Sequence, residues 1–172
     1  MIFEGIILAM LFGYMRKGKI KNLENVTIQY WYLFMVAFAL QTISFALESI
    51  PESGFFFMHV GSYLLIIYVC YRNRHFFGMW FMGMGTFLNG LVIALNNGKM
   101  PVKLPDYAEG IFDRGHALLT ETTNLWLLAD IFIIDIPRLS TRVMSMGDFF
   151  IVFGVFHLIQ QGMQTQAEQE EK

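Results

Sequence analysis

The sequence predicts an all-α integral membrane helical bundle of five transmembrane helices plus an interfacial or re-entrant helical segment, with six spans as the rival arrangement. Three observations carry that prediction. Of the 172 residues 55% are hydrophobic and 15% charged, where ordinary globular chains carry about 25% charged residues. Three apolar stretches approach or exceed the roughly 20 residues that a helix needs to cross a hydrocarbon layer of roughly 30 Å. Inside lipid no water is present for unpaired backbone groups, so such stretches become helices, which satisfy their own. The same composition excludes other classes. With 18 Phe, 7 Tyr and 3 Trp the chain is too apolar to stay disordered. A single cysteine, Cys70, makes no disulfide scaffold, and a net charge of -2 offers no basic face to nucleic acid.

The first span, 2–15, covers about two-thirds of the hydrocarbon thickness and needs snorkelling by Arg16 and Lys17 with local bilayer thinning. It has no basic stretch ahead of its apolar run, carries Glu4 early and lacks a small-residue cleavage site, so it is expected to remain rather than be removed as a signal. The second, 26–47, is broken only by Gln29, Gln41 and small hydroxyl residues. The third, 54–71, carries one histidine, and the fourth, 76–95, carries neither acid nor base. Gly78, Gly83, Gly85 and Gly90 stud the fourth, which reads as general close packing because the spacing is not a strict GxxxG. The fifth, 149–163, is again short. Residues 1–163 are thus expected to form one polytopic domain with an outer polar region at 96–148, followed by a disordered polar tail at 164–172.

Orientation follows from basic residues, which favour cytoplasmic loops. Arg16, Lys17, Lys19 and Lys21 after the first span, and Arg72 and Arg74 after the third, belong inside, whereas Glu48 and Glu52 suit the outer side. The N-terminus is then outside and the C-terminus cytoplasmic. The segment 117–137 reads as non-spanning, because Glu121, Asp130 and Asp135 would each cost up to about 3 kcal/mol near the membrane centre. Six spans would instead put Arg138 and Arg142 inside.

Charge is scarce through residue 95 and crowded after it, which makes the polar last third the candidate site. The segment NNGKMPV reads either as a helix end and turn or as a place where the Asn96 and Asn97 amides donate at a pocket mouth. In SMGD, Ser145 or Asp148 can cap the following helix; alternatively Asp148 serves proton transfer or ligand binding. Asp130 and Asp135 fall roughly 140° apart on a helix, so a carboxylate pair would join one of them to Asp148 or Asp113. Two close carboxylates share a proton and supply an acid and a base at once. His59, His75, His116 and His157 show no compact metal-ligand spacing, and neither a metal nor a cofactor is expected. His116 has Asp113, Arg114 and Glu121 as possible orienting neighbours, and His157 on its apolar span is expected to hydrogen-bond within the bundle.

Through NNGKMPV, His116, Thr120 or Thr123, LADIFIIDIP with Asp130 and Pro137, and SMGD ahead of IVFG, the second half resembles the bacterial domain of unknown function 5317 family. The resemblance implies a small polytopic membrane protein and no particular activity; the expected location is the bacterial inner membrane. A fainter similarity is to lipoprotein signal peptidase, on MSMGDFFIVFG with Asp148 and FDRGH with Asp113, though Gly147 and Ser145 depart from that enzyme's pattern. The resulting expectation is an outward-facing polar pocket of Asn96, Asn97, His116, Asp130, Ser145 and Asp148, used for binding or assembly, with the bilayer and a lipid or membrane-protein partner around it. One alternative is an aspartate-dependent membrane hydrolase with Asp113, Asp130 and Asp148 as candidate catalytic groups. Another is a small transporter or channel subunit, which the uncharged middles of spans two to four disfavour.

Overall fold

Among the described residues five α-helices form along the apolar runs: α1 (Ile2–Met15), α2 (Tyr32–Ala46), α3 (Glu52–Arg72), α4 (Phe77–Leu95) and α5 (Met146–Gln164). The computed structural model describes residues 2–104, 113–134 and 142–164; Asp135 and the tail 165–172 lie outside the described residues. By length and composition α3 and α4 are long and apolar enough to cross a membrane, while α1 and α2 are shorter apolar helices.

The expected boundaries shift at two helices, each for a local reason. Helix α2 starts at Tyr32 rather than Val26, because the Asn73 side chain at the end of α3 grips the backbone of Gln29 from both sides. The Gln29 N–H donates to Asn73 Oδ1 at 2.8 Å, and Asn73 Nδ2 donates to the Gln29 carbonyl at 2.9 Å. Tyr30 then turns the chain with a φ of 59°. Helix α5 starts earlier than expected, at Met146, because SMGD closes a reciprocal cap described below.

The all-α expectation needs correcting in the region between α4 and α5. Its described residues hold no α-helix but four short strands: β1 (Met100–Val102), β2 (His116–Leu118), β3 (Phe132–Ile134) and β4 (Arg142–Met144). Strands β1 and β2 pair in parallel with Met100 opposite His116, and β3 and β4 pair antiparallel with Phe132 opposite Met144. A bridge between Val102 and Asp130 links the two pairs. The re-entrant helix fails locally. Thr123 Oγ1 accepts the Thr120 N–H at 2.9 Å, drawing the backbone into a turn. Leu125 takes a φ of 53°, and the β-branched run after Asp130 prefers an extended chain. The fold is therefore mostly helical with a small β cap.

The helices form a row in which α2 packs on α3, α3 on α4, α4 on α5 and α5 on α1. A Cβ on Gly78 would collide with the backbone of Gly154 and Leu158, and one on Gly85 with the backbone of Gly147 and Ile151. These pairs show α4 and α5 running antiparallel with their backbones in near contact, each helix using glycines seven residues apart. The close packing expected of the fourth span is present. Its complement, Gly147 and Gly154 on α5, was not visible as a pattern because each helix carries only half of it.

The distribution of side chains is inverted relative to a soluble bundle. Buried helix positions are often small or polar, such as Gly5, Ala9 and Gly13 on α1, Ser62 on α3, and Gly85, Thr86, Asn89 and Gly90 on α4. Large apolar side chains face outward, including Phe3, Leu11, Phe38, Phe57, Leu64, Trp80, Phe87 and Phe153. Soluble proteins bury such residues first.

Candidate functional site

The β cap closes one end of the bundle over a cavity of about 230 Å³. Late α2 supplies Gln41 and Phe45, early α3 supplies His59 and Tyr63, late α4 supplies Asn89 and Ile93, and α5 supplies Asp148. The cap adds Met100, Gly115, His116 and Asp130. A larger apolar groove of about 330 Å³ lies between α3 and α4 at their other ends, around Cys70 and Trp80, and holds neither carboxylate nor histidine. The acid–base groups are concentrated in the smaller cavity.

The segment after α4 forms the helix-ending turn that NNGKMPV suggests. Asn97 and Gly98 both take positive φ, 57° and 81°, and the Gly98 N–H returns to the Ile93 carbonyl at 2.8 Å. This six-to-one bond is the Schellman closure, and the two left-handed residues are those that tolerate it. Asn96 and Asn97 themselves do not line the cavity. Asn96 accepts the Asn124 N–H at 3.0 Å and donates to the carbonyls of Val92 and Asn124, pinning the threonine turn to α4. What the turn contributes is the Gly98 carbonyl, which lies 2.7 Å from His59 Nδ1.

That contact fixes the tautomer of His59. A carbonyl can only accept, so Nδ1 carries the proton and Nε2 is left with its lone pair. The ring is only 4% exposed and is wedged among Phe45, Phe55 and Tyr63. His116 has the same arrangement with a stronger partner: its Nδ1 donates to Asp113 Oδ1 at 2.7 Å, while that oxygen also accepts the Gly115 N–H at 2.9 Å. Asp113 is therefore a support for His116 and does not line the cavity. Arg114 points elsewhere, donating to the carbonyls of Leu47 and Ile50 and pairing with Glu52, which ties the α2–α3 loop to the cap.

SMGD is a complete capping box. The Asp148 N–H donates to Ser145 Oγ at 3.0 Å and the Ser145 N–H donates to Asp148 Oδ2 at 3.0 Å. Asn89 extends it across the helix interface, donating to Asp148 Oδ1 at 2.9 Å and accepting from Ser145 Oγ at 2.8 Å. Ser145 is buried behind this network and outside the cavity lining; Asp148 is both cap and cavity wall. Replacing Ser145 by Ala removes the cap and strands the buried Asn89 carbonyl, so stability should fall by about 2 kcal/mol. Thermal unfolding in detergent would register it, and Ser145→Thr should restore most of the loss.

Asp130 is the anomalous group. Its backbone is locked into the cap, donating to the Pro101 carbonyl at 3.0 Å and accepting from Lys103 at 2.8 Å. Its side chain is 8% exposed, yet Oδ1 has no hydrogen-bond partner. Burial, reinforced by the Asp148 charge and opposed by His116, pushes the carboxyl up to about 7. Asp130, not Asp113, is the carboxylate that shares a cavity with Asp148.

Of the residues expected in the site, His116, Asp130 and Asp148 meet in one cavity, Ser145 stands behind it, and Asn96, Asn97 and Asp113 lie outside it. Four polar members lie on the apolar spans: Gln41, His59, Tyr63 and Asn89. Polar side chains there are costly unless used, and that was the signal that could have found them. His157 differs from expectation in another way: its ring packs edge-on against Phe77 and Phe153. Among the described residues no three of His, Cys, Asp and Glu converge closely enough to hold a metal ion.

The fold and cavity define the class: a mostly helical protein whose apolar helices carry a short-stranded cap over a buried acid–base cavity. The chain belongs to a family of unknown function (DUF5317), whose profile matches residues 25–160. An uncharacterized protein of Thermotoga maritima is 31% identical over 158 residues, which are 91% of this chain and 88% of that relative. No solved structure matches the chain.

Proposed function

We propose that this is a multi-pass protein of the bacterial inner membrane whose outward-facing cavity, bounded by His59, His116, Asp130 and Asp148, binds a small polar ligand. The observation that carries the binding role is the buried, unpartnered carboxyl oxygen of Asp130 inside that cavity. An unpaired buried polar group costs roughly 1–3 kcal/mol and more when charged, a burden that a ligand supplying a donor removes. The membrane assignment is supported by the inverted helices, with small and polar residues inside and large apolar ones outside. Lipid lets helices associate through close backbone approach, as between α4 and α5. The outward orientation is supported by the cap's position at the end opposite Arg72 and Arg74, since α4 begins just after that basic loop and ends at the cap.

Topology mapping tests the reading. In a Cys70→Ser background, single cysteines at the exposed positions Asn97 and Glu121 should react with a membrane-impermeant maleimide in intact cells, and one at Lys21 only after permeabilisation. The reverse pattern, or recovery of the protein in the soluble fraction, would overturn it. A second reading, an aspartate-dependent hydrolase, draws support from Asp130 and Asp148 facing one cavity, with Asp130 able to hold a proton near neutral pH. It requires that Asp130→Asn, which leaves the capping box intact, abolish cleavage of a lipopeptide substrate.

A further inference from the structure

The lining of the cavity is unbalanced. Asp130 Oδ1 accepts nothing within the protein. With Nδ1 of His59 committed to the Gly98 carbonyl, the ring nitrogen it has left is an acceptor. The Gln41 amide nitrogen is spent on Ser62 Oγ at 2.8 Å, so its carbonyl oxygen is the end left to accept. Among the described residues no Lys or Arg lines the cavity, while two carboxylates do. A bare metal ion does not answer this pattern, because among the described residues no three His, Cys, Asp or Glu side chains are grouped to hold one. Nor does an anion, which would meet two carboxylates and neither Lys nor Arg among the described lining residues. The volume admits a small organic cation with a few waters, and Phe45 and Tyr63 are part of its lining.

We propose that the cavity binds a primary ammonium group, with Asp130 as the principal partner, Asp148 in the same lining, and cavity waters taking the remaining N–H groups. This deepens the binding role proposed above and rests on it. A primary ammonium is chosen over a quaternary one because the unfilled acceptors require N–H donors, which a quaternary nitrogen lacks. It can be carried by a free alkylamine or by the headgroup of an aminophospholipid; the chemistry at the site is the same.

The test uses the full chain in maltoside micelles, titrated by calorimetry and thermal shift with ethylammonium, tetramethylammonium, ethanol and zinc chlorides or solutions at matched ionic strength. Ethylammonium should bind and raise the melting temperature, tetramethylammonium and ethanol should not, and Asp130→Asn should weaken ethylammonium binding at least tenfold. His59→Phe, which removes an acceptor and leaves both carboxylates in place, should weaken it less. Ethanol binding as well as ethylammonium, tight stoichiometric zinc binding, or an unaffected Asp130→Asn would each overturn the ammonium assignment. If the topology map still places Asn97 and Glu121 outside, the binding role itself would survive that failure; an inverted map would remove both. In nanodiscs, competition by phosphatidylethanolamine but not phosphatidylglycerol would assign the ammonium to a lipid headgroup, and equal affinity in both would assign it to a soluble amine.

Discussion

Replacing Asp130 by Asn is expected to stabilise the ligand-free protein at pH 8 and to weaken ligand binding at the same time. The sign follows from linkage. In the unfolded chain the carboxyl titrates near 3.8, whereas in the folded protein burial and the Asp148 charge push it up to about 7. Between those values the folded state binds more protons than the unfolded one, so stability is greatest below about pH 4 as far as this group is concerned. It declines as pH rises toward 7. Above pH 7 the folded protein holds an ionised carboxylate at a cost of roughly 4 kcal/mol relative to the acid limit. The groups facing it are Asp148 from α5, His59 and Tyr63 from α3, and His116 from β2. Of these His116 alone opposes the shift. Asn keeps the shape and removes the charge. The variant should therefore melt roughly 10 °C higher at pH 8 for a chain of this size, and the gap should narrow as pH falls below about 7 and close only near pH 4. Melting curves of both proteins between pH 5 and 8 decide it; parallel curves would mean that Asp130 is not held ionised against a penalty. A destabilising carboxylate kept at a cavity wall is the pattern expected where binding, not folding, is the use of the residue.

How much of this was readable beforehand depends on the range of the interaction. Helices α1, α3 and α4 were legible almost to the residue, because length and hydropathy are local properties of the chain. The start of α2 was not, since it is set by Asn73, 44 positions away from Gln29. SMGD was legible as a cap because its two bonds close within four residues. The reading of Asp148 as a site residue rests on the same segment, but its partner Asn89 is 59 positions away, inside a span read only as free of acid and base. The cap was misread as a helix because LWLLADIFIIDI has helical length and composition. Its extended course is decided by the Val102 bridge and the β3–β4 pairing, both contacts between distant segments. The cavity draws on four helices and the cap, from Gln41 to Asp148, so no short stretch of sequence contains it.

Gly78→Ala and Gly85→Ala are expected to be among the most damaging single substitutions in the chain, although each adds one methyl group. The added Cβ at Gly78 would lie inside the backbone of Gly154 and Leu158, and at Gly85 inside that of Gly147 and Ile151. Neither can yield as a side-chain tip does, so α4 and α5 must move apart. Overpacking of this kind typically costs 1–3 kcal/mol and more where backbone is involved; roughly 3 kcal/mol is expected for each. The loss should reach the cavity as well, because Asn89 on α4 and Asp148 on α5 are joined across this seam by a 2.9 Å hydrogen bond. Ligand binding should fall along with stability in Gly85→Ala, which lies one turn from Asn89. Gly61 on α3 provides the control, since a Cβ there meets nothing within 4 Å. With backbone freedom reduced and no collision, Gly61→Ala should be neutral or stabilising by about 0.5–1 kcal/mol. The three variants isolate one cause: if Gly78→Ala and Gly85→Ala unfold with Gly61→Ala rather than well before it, the direct backbone contact between α4 and α5 is not what holds the bundle, and the cavity must owe its shape to the cap instead.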